Sequence, residues 1–128
     1  MSKLQEIHKK AMDLAEQADL AKLRGHTEQV QDFLRQALSL ELEAAHMIAD
    51  DLAAEPTRSV LHRSAASLAI ECDELQTAEK LIARALAGSP PSDVEEELKD
   101  LFLQINVLNY LNRQGIELTE SQRQCLAS

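Results

Sequence analysis

The sequence predicts an all-α protein. Leu, Ala, Glu and Gln dominate its 128 residues, and all four are good helix formers. Only three glycines and three prolines occur, too few for the many turns of an all-β chain. Apolar residues recur at spacings of three and four along most of the chain, the period of a helix with one buried face. With 45% hydrophobic residues, disorder is not expected. The length suits a single domain over residues 1–128.

Ser2 and Gln5 form a capping-box pattern that starts the first helix. Leu4, Ile7, Ala11, Leu14, Ala18 and Ala21 then hold one apolar face, which narrows to alanine where a neighbouring helix can approach closely. Gly25 stops this helix, and Thr27 is the expected N-cap of the second. The second helix, expected over about 28–53, carries Val30, Phe33, Leu34, Ala37 and Leu38 and continues to Leu52. The short connection between them makes the pair antiparallel, a long hairpin over 1–55.

Pro56 or Thr57 starts the third helix, because proline is tolerated in a first helical turn. Its inward face is Leu61, Ala65, Leu68, Ala69 and Cys72, and Asp73 is expected to cap the fourth helix. That helix bears Leu75, Ala78, Leu81, Ile82, Ala85 and Leu86. Gly88, Pro90 and Pro91 end the second hairpin, which spans 56–89. Ser92 and Glu95 make a second capping-box pattern, opening a fifth helix over 91–114 that is apolar nearly all round in its second half. Gly115 ends it, and a tail over 115–128 has room for a short polar helix from Thr119 to Leu126.

Sliding the chain by 48 residues superimposes the two hairpins. Gly25 then falls on Asp73, Ala18 on Ala66, Leu34 on Ile82, and Ala37-Leu38 on Ala85-Leu86. The stretch from Ser64 to Pro90, with Ala66, Asp73, Ala78, Ala85-Leu86 and the closing Pro90, resembles a tetratricopeptide repeat. The first hairpin resembles it through Ala18, Gly25, Ala37 and Leu38, although the large aromatics usual in such repeats are missing. The resemblance spans residues 11–38 and 57–111 and implies stacked antiparallel hairpins in a short right-handed array with a C-terminal capping helix. It also implies a non-enzymatic interaction module that binds a protein or peptide partner on helix A surfaces. The groove-facing positions would lie near Asp19 and Lys22 in the first repeat, and near Arg63, Ser67 and Ile70 in the second.

Charge narrows the function further. A net charge of −9 repels nucleic-acid phosphates and anionic lipid heads, so neither nucleic acid nor membrane is an expected partner. No apolar run has the length of a membrane span, and the two cysteines show no metal-ligand spacing, so a reduced cytoplasmic protein is expected. No catalytic residue and no cofactor are expected: the glycines are isolated, and no nucleophile, base and acid converge by spacing. Glu43 and His46 form one Glu-x-x-His, the fragment of a helical-bundle metal site, but the second such pair is missing. No metal is therefore expected, and a metal-bound enzyme is the weakest alternative. Arg58, His62 and Arg63 make a basic cluster, readable as a carboxylate-binding patch or as a solvated face pairing with acids such as Glu55. Leu103, Val107 and Tyr110 form an extra apolar stripe on the fifth helix, expected to pair two copies as a homodimer.

Overall fold

The computed structural model describes residues 2–127, and among them every regular element is a helix. The order is α1 (Lys3–Leu23), α2 (Thr27–Ile48), α3 (Thr57–Glu71), α4 (Leu75–Leu86), α5 (Ser92–Arg113) and α6 (Glu120–Ala127). The Ser2–Gln5 capping box forms: Gln5 N donates to Ser2 Oγ, and Ser2 N donates to Gln5 Oε1.

Three helix ends are built alike. At Gly25, Asp73 and Gly115 the chain turns left-handed, with φ of 74°, 59° and 73°. The following residue donates back to the carbonyl five positions earlier: His26 N to Ala21 O, Glu74 N to Ala69 O and Ile116 N to Leu111 O. The first two of these turns lie 48 residues apart, the offset that aligns the hairpins in sequence. Asp73 therefore ends α3 rather than capping α4, whose N-cap is Glu74. Thr27 is likewise inside α2, with His26 at the cap. Ser92 is inside α5, where Glu95 N bonds to Pro91 O and no side-chain cap forms.

α2 ends at Ile48, five residues short of the expected 53. Leu52 continues the spacing but is 57% exposed in the turn between α2 and α3. α1 packs on α2, α2 on α3, and α3 on α4, while α5 lies against α3 and α4. The contacts are rich in alanine: Ala11, Ala37, Ala44, Ala45, Ala65 and Ala66 have no exposed surface. Small side chains let helix axes approach closely, and Leu34, Leu61, Ile82, Leu98 and Ile105 fill the space between them. None of the helices is long and apolar enough to cross a membrane among the described residues.

Candidate functional site

A cleft of about 480 Å³ opens beside the Gly25 turn. The end of α1 brings Asp19 and Lys22 to it, the start of α2 brings Val30 and Leu34, and the end of α3 brings Ile70 and Glu71. Leu108 of α5 and the inner side of α6 complete it. Asp19, Lys22 and Ile70, all expected at a groove from sequence, are thus brought together. Asp19 and Lys22 are exposed, while Ile70 is buried and serves as wall rather than as contact surface.

The cleft carries more acid than base. Asp19, Glu71 and Glu120 line it against Lys22 and Arg123. Lys22 Nζ lies 3.7 Å from Glu120 Oε1, and Arg123 Nη1 lies 3.5 Å from Asp73 Oδ1. Among the described residues neither Asp19 nor Glu71 joins a salt bridge. Partial desolvation pushes the Glu71 carboxyl above its ordinary pKa; the Asp19 and Glu120 charges add to this, and Lys22 opposes it. An acidic pair set among apolar walls is suited to a cation carried on an apolar segment.

The other expected contact residues lie elsewhere. Arg63 is half-buried and donates to Glu97 Oε2 at 3.0 Å, which ties α3 to α5. Ser67 is half-buried and outside the cleft. Arg58 is 2% exposed, so its guanidinium is not offered to a partner. Arg58 Nε donates to Ala49 O at 2.8 Å and Nη2 donates to Arg84 O at 3.0 Å. Those carbonyls sit at the C-terminal ends of α2 and α4, where helix dipoles favour a cation. Its Nη1 is buried and has no hydrogen-bond partner among the described residues. Glu55 bonds to Ser59 rather than to this cluster.

His62 is fully buried beside Arg58. Its Nδ1–H donates to Arg58 O at 2.7 Å, leaving Nε2 to accept from Arg84 Nε at 2.8 Å. Burial lowers its pKa to about 4; the Arg84 and Arg58 charges act in the same direction, and the bond to Arg58 O opposes them. Arg84 Nη2 also donates to His46 Nδ1 at 3.1 Å. A guanidinium bonded there opposes a metal cation on the same nitrogen, and Glu43 is exposed. Among the described residues no group of three or more His, Cys, Asp and Glu comes together to hold a metal ion.

Sequence reasoning missed one pair. Glu41 of α2 is fully buried, and both its carboxylate oxygens accept from His8 Nδ1, at 2.8 and 3.0 Å. Burial raises the Glu41 pKa, and His8 opposes the shift. The signal was present in the stripe Leu34, Ala37, Leu38, Glu41, Ala44, Ala45, which places Glu41 on the buried face of α2.

On α5, Leu103 and Tyr110 are 64% and 55% exposed, and Val107 is half-buried. Arg113 stacks over the Tyr110 ring at 6.0 Å. Comparisons with protein-family models, curated proteins and solved structures find no match to this chain.

Proposed function

We propose that this protein is a non-enzymatic interaction module whose cleft beside the Gly25 turn takes a partner segment carrying a basic side chain among apolar ones. The observation that carries this reading is the meeting of Asp19 and Glu71, outside any salt bridge among the described residues, with the apolar walls of Val30, Leu34 and Leu108. The anchor is therefore acid on the module and base on the partner, the reverse of an Arg63-to-carboxylate anchor. A tetratricopeptide-like stacking of the two hairpins, as a short right-handed array closed by α5, belongs to the same proposal. The like-built turns at Gly25 and Asp73 support it.

The test is a titration with short amphipathic helical peptides that carry Leu on one face and Lys on the other, followed by amide shifts of Asp19, Ile70 and Glu71. Binding is expected for the basic peptide and not for its Glu counterpart. Asp19→Lys with Glu71→Lys should weaken it by about tenfold or more, the scale of close charge pairs at an interface. Equal binding of acidic and basic peptides, or indifference to the charge reversal, overturns the reading.

A second reading concerns α5. The stretch from Leu101 to Asn112 has no charged residue in a chain of net charge −9, and Leu103 and Tyr110 project from it. This uncharged band is where two identical acidic chains can approach with least repulsion, so a homodimer through Leu103, Val107 and Tyr110 is the alternative. Analytical ultracentrifugation across low-micromolar concentrations decides it. A dimer abolished by Val107→Glu supports it, and a monomer of 14.2 kDa throughout removes it.

A further inference from the structure

α6 is unlike the other five helices. None of its residues is buried. It carries its own start signal, a reciprocal box in which Gln122 N donates to Thr119 Oγ1 at 3.2 Å and Thr119 N donates to Gln122 Oε1 at 2.9 Å. It follows the Gly115 turn through a connection in which Ile116 is 48% exposed. Two ion pairs hold it to the body, Glu120 with Lys22 and Arg123 with Asp73. Glu120, Arg123 and Ala127 share one face by their spacing, and that face lines the cleft.

We propose that α6 is an internal, displaceable ligand of the cleft, and that the partner it yields to is a helix with the same face, a base one turn from an acid and a small apolar residue beyond. This rests on the cleft being the binding site. The two ion pairs are weak by construction. Ion pairs between exposed side chains shift an equilibrium only about two- to fivefold each. No buried side chain adds to them. Tethering compensates, since a short connection gives α6 an effective concentration near the millimolar range. Closure also sets Glu120 beside Asp19 and Glu71, a third negative charge at one wall, with Lys22 as the opposing cation. The Thr119–Gln122 box leaves with the helix and keeps its first turn capped. A weakly held, self-capped helix on an acidic cleft is therefore poised to exchange with a better-matched helix supplied from outside.

The experiment uses the full chain and a variant with Glu120→Lys and Arg123→Glu, changes confined to exposed or half-buried positions of α6. The probe is a synthetic peptide of residues 117–127 with the native charges and Ser in place of Cys125. Hydrogen exchange over 119–127 should speed up severalfold in the variant. The peptide should half-saturate the variant at a concentration about tenfold below that needed for the native chain, read from the amides of Lys22 and Ile70. A charge-reversed peptide should not bind the variant. Equal binding by native chain and variant overturns the displaceable-ligand inference while leaving the cleft reading in place. Unchanged exchange over 119–127 overturns it as well. Failure of the peptide to bind either protein, together with failure of the Leu/Lys peptides, removes both.

Discussion

Acidification from pH 7 to pH 4 should weaken this fold through His62. In the unfolded chain the imidazole takes up a proton near its ordinary pKa of 6.5, whereas in the folded chain it stays neutral until about pH 4. Between those values the unfolded state holds more protons, so stability falls as pH falls; above 6.5 both states are neutral and the contribution is complete. The ring is fully buried, and protonation would put a charge among Arg58 of its own helix, Arg84 of α4 and His46 of α2. At about 1.4 kcal/mol per pH unit, the interval from 6.5 to about 4 corresponds to roughly 3 kcal/mol. Glu41 and Glu71 work in the opposite direction, since raised carboxyl pKa values bind protons preferentially in the folded state. The comparison must therefore be made against a variant. His62→Gln keeps one donor for Arg58 O and one acceptor for Arg84 Nε but does not titrate. Urea unfolding of both proteins at pH 7, 5.5 and 4 measures the gap between them. The native chain should lose roughly 3 kcal/mol relative to the variant across that range. A gap that changes by less than about 1 kcal/mol refutes the assignment of a neutral, buried His62.

Other perturbations have equally definite outcomes. Breaking the His8–Glu41 pair with His8→Ala strands a buried carboxylate and should cost about 1–3 kcal/mol, most of it recovered when Glu41→Leu is added, as measured by thermal unfolding. Ala66→Leu inserts volume at a site with no exposed surface and should cost about 1–3 kcal/mol in urea unfolding; a neutral result means the helices there can part. A Cβ at Gly25 meets nothing within 4 Å, so Gly25→Ala should cost about 1–2 kcal/mol through backbone conformation alone. Asp73→Gly, at φ 59°, relieves the same kind of conformation and should lower stability less than Gly25→Ala does, or raise it.

Much of the architecture could be read from spacing. Gly25 and Gly115, the alanine stripe of α1 and the proline pair after α4 locate the helices because each acts through local backbone physics. The end of α2 could not be read in this way. Ile48 and Leu52 continue its period, and no Gly or Pro intervenes before Pro56; the helix stops where Arg58, nine residues away, takes the Ala49 carbonyl. Periodicity also put Arg58 and His62 on one face but could not say that this face turns inward, because their partners are carbonyls and another arginine rather than acids. For the cleft, the tetratricopeptide resemblance named three residues that line it: Asp19, Lys22 and Ile70. Arg63 and Ser67 sit on other parts of α3, and α6 closes the cleft from a distance in sequence that no local pattern reports.

Arg58 has a consequence for how the molecule opens. One guanidinium holds the end of α2 and the last turn of α4 at once, and Gly88 makes room for it, since a Cβ there would fall 2.5 Å from Nη1. In a stack of repeats, each unit can usually fray with only its neighbour feeling the loss. Here the side chain that holds the final turn of the second hairpin also holds the Ala49 carbonyl at the end of the first, so loosening one weakens the other. The two hairpins are thereby coupled into one cooperative unit, and amides near Ala49 and near Ala87 should exchange with solvent through the same opening event and with the same free energy. α6, which this clamp does not reach, should exchange on its own and far sooner.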